Sequence, residues 1–372
     1  MNTKSDILII GGGVIGLAIA IELKLRSHSV TVLSRDFSAA ATHAAAGMLA
    51  PQAELLSGPM LDLCLRSRSL YPEWTRKLEE LTGETCGYWN CGILAPVYSH
   101  LEVEHSNGDR QSNSKWLDRE AIHSYQPGLS SDVIGGWWYP QDGQVDNRAL
   151  AQVLRIAAQS LGVDLREGIS VEAILQQQGH VTGVQTTVGV IRAAHYVLAT
   201  GAWSHELLPL PVYPKKGQML SLRVPDTCSL LPLERILFGD VYIVPRRDRR
   251  IVIGATSEDV GFTPHNTPLG IQALLERAIR LYPQLQHYPI EEFWWGFRPA
   301  TPDELPILGS ASQNLTFATG HYRNGILLAP VTATLIADWI LEQSDPLLKH
   351  FHYSRFQPSL LTENANNTRS FR

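Results

Sequence analysis

The sequence has few cysteines, little excess charge of either sign and no apolar run of membrane-spanning length. Its 372 residues contain Cys64, Cys86, Cys91 and Cys228, and no pair of them forms a C-x-x-C motif. This count excludes a disulfide framework, a zinc ribbon and a thioredoxin-type redox motif. With 31 Lys and Arg against 36 Asp and Glu, the net charge is −5, which gives no electrostatic reason to bind a nucleic acid. We expect a globular protein with free thiols and no metal site.

The longest apolar run, at 7–21, resembles the apolar core of a secretory signal peptide. Three consecutive glycines interrupt it, and Glu22, Lys24 and Arg26 follow it in place of a small-residue cleavage site. The run is also shorter than the roughly 18 residues that a membrane span needs. The sequence therefore predicts a soluble, cytoplasmic protein.

The first 35 residues have the pattern of a βαβ unit. Residues 6–10 and 29–33 are short apolar runs typical of buried parallel strands, and residues 14–25 have helical spacing. The motif G-x-G-x-x-G occupies 11–16, between the first strand and the helix. In that context its glycines allow a tight turn, close approach of a pyrophosphate and close helix–strand packing. The unit therefore predicts a dinucleotide cofactor.

The position expected to bind the adenosine ribose is not acidic. About 20 residues beyond the glycines the fingerprint calls for Asp or Glu. This chain has Ser34 there, followed by Arg35 and Asp36. A serine hydroxyl binds a ribose hydroxyl more weakly, and Arg35 beside a neutral residue suits a 2′-phosphate. On this site alone, NADP stays open as an alternative.

The rest of the chain alternates helical and strand patterns at both ends and is rich in strands between them. Helical spacing is present at 60–82, 147–161, 269–281 and 324–343, and strand patterns dominate 213–256. The basic cluster at 246–250 fits a solvated hairpin turn. The predicted fold class is α/β, α+β overall, with a Rossmann-type dinucleotide-binding domain interleaved with a β-sheet-rich domain.

Seven segments, in order along the chain, carry a resemblance to a known enzyme family. They are DILIIGGGVIGLAIAIEL at 6–23, THAAAGMLAPQAE at 42–54, VLATGAWS at 197–204, VYIVPR at 241–246, IVIGAT at 251–256, GFRPATPDELPILG at 296–309 and GHYRNGILLAPVTA at 320–333. Together they resemble the FAD-dependent family that contains D-amino-acid oxidase, sarcosine oxidase and glycine oxidase. Within it, AAAGML and GHYRNGILLAP look most like bacterial glycine oxidase, which feeds thiazole synthesis in thiamine production.

The order of these segments predicts two interleaved domains. The predicted FAD-binding domain comprises 1–85, 147–212 and 299–358, the predicted substrate domain comprises 86–146 and 213–298, and 359–372 is a mobile tail. The resemblance implies FAD as the cofactor. Sarcosine-oxidase relatives attach the flavin through a late cysteine, and no cysteine follows Cys228 here, so we expect non-covalent FAD.

The small residues at 44–48 are expected to let a planar flavin ring pack closely, and the helix after residue 324 to direct its amide groups at the reduced flavin. By resemblance, the cofactor-binding residues are Gly11, Gly13, Val14, Ile15, Gly16, Ser34, Arg35, Thr42, His43, Ala45, Ala46, Gly47, Met48, Val171, Thr200, Gly201, Trp203, His321, Arg323, Asn324, Gly325, Ile326 and Leu327.

The predicted substrate side rests on Arg298, Tyr242 and Arg323. An arginine in the apolar stretch FWWGF is costly unless an anion pairs with it. In the resembled family this arginine binds the amino-acid carboxylate through two hydrogen bonds, and the residue at Tyr242 donates a third. Arg323 lies beside the flavin in that family. Two alternatives stay open: a structural ion pair of Arg298 with Asp303 or Glu304, and a core role for Tyr242.

The resemblance implies oxidative deamination of glycine and other small amino acids, such as sarcosine and D-alanine, to the imino acid. Dioxygen would be reduced to hydrogen peroxide, and the product would supply thiamine thiazole synthesis. No side chain is expected to act as acid or base, because hydride transfer to a flavin depends on positioning. The expected partners are a small amino acid, dioxygen, a thiazole synthase and further copies of the chain in a homo-oligomer.

Three other functions stay open at this point. One is a broader D-amino-acid oxidase, because Ser257 stands where a larger apolar residue is expected in glycine-oxidase relatives. The second is an amino-acid dehydrogenase that passes electrons to an acceptor other than dioxygen. The third is a flavin-containing carrier without activity of its own.

Overall fold

The structure, a computed structural model, describes residues 5–99, 113–228 and 231–356. The predicted tail at 359–372 lies outside these residues. The α-helices are α1 (Val14–Leu25), α2 (Ala41–Ala44), α3 (Gly58–Thr82), α4 (Arg119–Tyr125), α5 (Asn147–Ser160), α6 (Ser204–Leu207), α7 (Pro268–Leu281) and α8 (Gly325–Ile340).

The strands follow the predicted distribution, with the longest in the second half of the chain. They are β1 (Ser5–Ile10), β2 (Val30–Ser34), β3 (Met48–Leu49), β4 (Ile93–Val97), β5 (Lys115–Asp118), β6 (Gly135–Tyr139), β7 (Gly143–Gln144), β8 (Asp164–Glu167), β9 (Val171–Gln177), β10 (His180–Thr186), β11 (Gly189–Ile191), β12 (Ala193–Leu198), β13 (Tyr213–Arg223), β14 (Ile236–Phe238), β15 (Tyr242–Pro245), β16 (Arg250–Gly254), β17 (Ile290–Ala300), β18 (Ile307–Ser312) and β19 (Leu315–Thr319).

The chain divides into two compact units, and the first is built on a mainly parallel sheet. This unit comprises Met1–Ala40, Leu154–Pro214 and Arg298–Arg372. Its six-stranded sheet has the order β18-β19-β12-β1-β2-β8, with β1 parallel to both β12 and β2. Every residue of β2 is buried, as expected for a parallel strand covered on both faces. The carboxyl ends of β1 and β12 therefore lie side by side, at the edge where the glycine turn begins.

The second unit is built on a mixed sheet. It comprises Ala41–Val153 and Lys215–Phe297, and its eight-stranded sheet has the order β17-β13-β16-β15-β14-β4-β6-β5. One core cluster includes Leu220, Leu237 and Ile253 with residues of α7. A second cluster joins Ala46 and Tyr139 to Met219 and Val244. These two clusters give the unit its hydrophobic interior.

The predicted α/β fold class is confirmed. Helix α1 has the predicted bounds, and the predicted helix at 269–281 begins one residue earlier. The boundaries of the two functional domains stay a prediction. Residues 41–85, assigned there to the FAD-binding domain, belong by their contacts to the second unit. No helix among the described residues is both long and apolar enough to cross a membrane.

One expectation about the basic cluster is wrong. Residues 246–249 do form the turn between β15 and β16. The side chain of Arg246, however, is only 4% exposed. Burial opposes the charged form and lowers the pKa of Arg246, although neighbouring Asp146 and Asp248 favour the charge. The local pattern could not show this, because the residues that surround Arg246 come from distant parts of the chain.

Candidate functional site

The glycine motif forms a turn with almost no space for side chains. Gly11 has φ +118°, and a Cβ there would lie 2.2 Å from the carbonyl oxygen of Ala199. A Cβ on Gly16 would lie 1.9 Å from the Gly11 oxygen, and one on Gly12 would lie 2.3 Å from the Phe37 ring. The turn therefore packs against β12 and α1 only because these residues are glycines.

The beginning of α1 is suited to receive a phosphate group. Gly13 is the N-cap residue, in an extended conformation, and it has no side chain to cap the helix. No acidic residue stands in the first turn, where Val14 and Ile15 are buried. Amide groups at such a helix start carry partial positive charge and favour an anion. The predicted pyrophosphate residues thus lie together in a geometry that fits the cofactor.

The predicted adenosine residues lie at the ends of neighbouring strands. Ser34 ends β2, is 7% exposed, and is in register with Glu167 of β8. The Glu167 carboxylate pairs with Arg155 at 2.9 Å. Arg35 is exposed, and its guanidinium carbon lies 5.5 Å from the centre of a Trp203 ring. The structure brings Arg35 and Trp203 together. It also places the Glu167 carboxylate beside the end of β2, which could not be predicted because the sequence of one strand does not show its register with another.

Hydroxyl groups connect the ends of β12 and β19. The Thr200 hydroxyl lies 3.0 Å from that of Ser204, which lies 2.6 Å from that of Thr319. Ser204 also donates to the carbonyl oxygen of Gly201, which has φ +56°. Predicted residue Val171 packs on the adjoining core cluster at the start of β9. The hydroxyl chain fixes the predicted Thr200–Gly201 turn.

The segment before α8 is buried and has an unusual backbone. His321 is 2% exposed, its Nε2 lies 3.2 Å from the Thr332 hydroxyl, and burial lowers the pKa of His321 to about 3. Tyr322 has φ +47°, a left-handed conformation that is uncommon outside glycine. Asn324 is the N-cap residue and makes no side-chain cap. Arg323 is exposed, with its guanidinium carbon 5.0 Å from the centre of the Tyr322 ring.

The first turn of α8 contains the three remaining predicted residues of this segment, Gly325, Ile326 and Leu327. The structure thus places a buried, neutral histidine and an uncapped 16-residue helix next to each other in the first unit. Amide groups at the start of such a helix stabilise negative charge.

Arg298 is half-buried near the end of β17. The next residue, Pro299, accepts a hydrogen bond at 2.9 Å from the Tyr322 amide, which joins this strand to the segment before α8. The Asp303 carboxylate pairs with Arg355 at 2.7 Å. Of the two carboxylates named as alternative partners of Arg298, that of Asp303 therefore already has a cationic partner, while the alternative with Glu304 stays open.

In the second unit, the small-residue segment at 42–48 begins inside α2, ends at the first residue of β3, and packs against the residues that open α5. It contains the predicted Thr42, His43, Ala45, Ala46, Gly47 and Met48. Gly47 has φ +69°, and a Cβ there would lie 2.0 Å from the Val145 oxygen. Asn147 donates to the carbonyl oxygens of Thr42 and His43, at 2.8 and 3.2 Å. Asn147 is not predictable from the sequence, because no local signal identifies it.

Tyr242 belongs to the same part of the second unit. It is half-buried at the start of β15, and its hydroxyl lies 3.7 Å from the Met219 sulfur. A Cβ on Gly254 would lie 2.6 Å from the Tyr242 hydroxyl, so the ring lies directly over that glycine. Tyr242 and Met48 pack on the core cluster that contains Ala46. The structure therefore brings one predicted substrate residue together with the predicted flavin-facing segment.

Known proteins are similar to this chain over most of its length. The family model for FAD dependent oxidoreductases matches residues 6–339. The chain is 69% identical, over 97% of its length, to a bifunctional ThiO/ThiG protein of Nostoc, of which it covers 57%. It is 37% identical to a glycine oxidase of Geobacillus kaustophilus, over 91% of this chain and 94% of that protein.

The crystal structure of glycine oxidase from Geobacillus kaustophilus superposes with a TM-score of 0.88 at 35% identity, covering 95% of this chain and 99% of that chain. The chain spans 55–57% of the length of the ThiO/ThiG relatives that it matches at 61–70% identity. Since the family model covers most of the sequence and the glycine turn fits a dinucleotide, the chain belongs to the FAD-dependent oxidoreductase family known as DAO.

Proposed function

We propose that this protein is an FAD-dependent oxidase of glycine and other small amino acids, including sarcosine and D-alanine. The amino acid would become the imino acid, and dioxygen would be reduced to hydrogen peroxide. The observation that carries the proposal is the similarity to the Geobacillus glycine oxidase, which extends over 91% of this chain and 94% of that protein.

We assign the cofactor contacts by unit. In the first unit, the turn at 11–16 would hold the pyrophosphate, Ser34 and Arg35 the adenosine, and residues 200–203 and 321–327 the flavin. In the second unit, residues 42–48 would pack on the flavin ring. Bound FAD supplies the hydride acceptor that the protein itself lacks. The assignment is supported by the uncapped start of α1 and by the tight glycine turn.

The residues of the chain would act by positioning. Arg298 and Tyr242 are proposed to bind the substrate carboxylate, which orients the Cα–H bond, and Arg323 to add positive charge nearby. No side chain is assigned as acid or base. The lowered pKa of His321, about 3, supports this assignment because so weakly basic an imidazole takes up a proton poorly at physiological pH, and its Nε2 is engaged with Thr332.

The wider setting is also proposed. The relatives named ThiO/ThiG contain a region similar to nearly all of this chain together with further sequence. This supports a role in which the imino acid passes to a thiazole synthase in thiamine biosynthesis. We further propose that the protein acts in the cytoplasm as a homo-oligomer, with FAD bound non-covalently. The predicted FAD-binding and substrate domains are proposed with the boundaries given above.

An oxygen-electrode assay tests the substrate and the acceptor together. Glycine, sarcosine, D-alanine, D-proline and an L-amino acid would be compared, with each also added under argon while flavin absorbance is followed. We expect glycine to give rapid oxygen uptake and rapid bleaching. Faster turnover of D-proline or larger D-amino acids would favour the broader oxidase. Bleaching without oxygen uptake would indicate a dehydrogenase, and no bleaching by any substrate would indicate a carrier.

A further inference from the structure

The backbone of the small-residue segment is held by three side chains and one backbone amide from other parts of the second unit. Besides the two bonds from Asn147, the indole of Trp294 donates to the Ala44 oxygen at 3.0 Å. The Val145 amide donates to the Gly47 oxygen at 2.9 Å. Arg246 donates to the Ala46 oxygen at 2.8 Å. The carbonyl groups of this segment are therefore directed toward the protein, which fixes the orientation of its peptide planes.

The Arg246 side chain donates hydrogen bonds to four residues outside its own hairpin turn. Its guanidinium donates to the Gln144 side chain, to the Val145 oxygen at 3.1 Å and to the Asn147 side-chain oxygen at 3.1 Å, in addition to Ala46. All four acceptors lie about a hundred or more residues away in sequence. The hairpin itself is closed by the backbone hydrogen bond that the Arg246 amide donates to the Arg250 oxygen at 2.8 Å. The side chain thus serves the distant segment and not its own turn.

Burying a guanidinium is costly, and the surroundings of Arg246 compensate for that cost. Its Nε lies 3.7 Å from the Asp146 carboxylate, which also pairs with Arg250 at 2.9 Å. A buried charge is stabilised by an opposite charge and by hydrogen bonds. The two terminal nitrogens of Arg246 make the hydrogen bonds, while its Nε has the ion pair with Asp146 but no hydrogen-bond acceptor among the described residues. Lysine in this place would keep the charge but not the planar fork that reaches Ala46 and Gln144 simultaneously.

We propose that Arg246 is a positioning residue for the cofactor, holding the backbone of residues 42–47 in the arrangement that receives the flavin ring. This rests on the proposed function, which assigns that segment to the flavin. Gly47 leaves no side-chain space between the segment and Val145, so the segment has little room to settle in another position.

The test compares Arg246→Lys with Arg247→Lys, the same substitution at the adjacent, exposed arginine. FAD affinity would be measured by equilibrium filtration of the diluted holoenzyme, and the flavin environment by visible circular dichroism. We expect Arg246→Lys to weaken FAD binding about tenfold or more, the factor of one lost charge-assisted hydrogen bond, and to alter the dichroism. Arg247→Lys should change neither.

Hydrogen exchange of the holoenzymes separates positioning from general support of the core. In Arg246→Lys we expect faster exchange at residues 44–49 and unchanged exchange in β16 and α7. Equal loss of protection in all three regions would overturn the proposal, as would wild-type FAD affinity and dichroism. Arg246→Met should produce the larger effect, and if it does not fold, the lysine variant decides.

The proposed function can fail separately. If the wild-type holoenzyme binds FAD but oxidises no amino acid, the proposed reaction is wrong, and the Arg246 comparison still reports on FAD binding. If glycine is oxidised while Arg246→Lys behaves as wild type, only the positioning role is wrong. A wild-type protein that does not bind FAD would overturn both.

Discussion

Among single residues, Gly11 occupies a position that leaves no room for a side chain. Its φ of +118° disfavours any L side chain, and a Cβ would collide with Ala199. We predict that Gly11→Ala abolishes FAD binding. Its backbone strain should also lower the free energy of unfolding by about 1–3 kcal/mol. Gly179→Ala is the matched control, because Gly179 has φ +74° but no atom within 4 Å of its Cβ position. The Gly179→Ala variant should lose stability in thermal unfolding but keep its flavin content. Loss of flavin in both variants would contradict the prediction.

Arg298 gives the second prediction at this scale. If its guanidinium binds the substrate carboxylate through two parallel bonds, Arg298→Lys keeps the charge but loses that geometry. We expect the KM for glycine to rise roughly tenfold to a hundredfold, since a charge-assisted hydrogen bond contributes about 1.5–3 kcal/mol. The visible flavin spectrum should not change. Arg355→Lys, at the arginine that pairs with Asp303, is the control, and a KM equal to wild type in Arg298→Lys would remove Arg298 from the site.

Among the elements, the structure confirms what depends on local spacing. Helix α1 follows from its apolar residues and the glycines before it, and β1 from the apolar run at 6–10. The burial of Arg246 and the register between Ser34 and Glu167 could not be predicted in this way. Both depend on which distant strands pack together, and the periodicity of one strand contains no information on its neighbours.

A histidine between β12 and β19 makes the stability of this part of the fold depend on pH in the acidic range. His195 on β12 has its Nε2 2.8 Å from the Thr316 hydroxyl on β19, and burial lowers the pKa of His195 to about 4. Between about pH 6.5 and 4 the unfolded chain therefore binds the proton more tightly, and stability falls as pH falls. Above about pH 6.5 the imidazole is neutral in both states and contributes no pH dependence.

His195→Gln should reduce this acid slope. Glutamine keeps a hydrogen-bonding group but does not titrate, so we expect the free energy of unfolding to fall less between pH 7 and pH 4, by on the order of 3 kcal/mol at the acid end, with a correspondingly smaller drop in melting temperature. The exposed His205→Gln is the control in the same unit. Thermal unfolding at several pH values measures both, and parallel curves for wild type and His195→Gln would contradict the prediction.

At the scale of the whole molecule, each compact unit is assembled from separated stretches, three in the first and two in the second. The predicted cofactor residues follow the same division, since 11–35, 171–203 and 321–327 fall in the first unit and 42–48 in the second. A fragment that ends at any one of these boundaries would leave a sheet incomplete. FAD binding should therefore be measured on the chain that contains both units and not on a fragment.

The cysteines decide how that FAD would be attached. All four are free, and all belong to the second unit. Burial raises the pKa of Cys64 above its usual range, that of Cys86 to about 12, and that of Cys91 as well, so these three of the four remain thiols at neutral pH, whereas covalent attachment needs a thiolate. We predict that heat or acid releases all of the flavin as FAD into the filtrate and leaves a polypeptide of 41.2 kDa by mass spectrometry. Flavin that precipitates with the protein, or a polypeptide mass increased by that of FAD, would show a covalent bond.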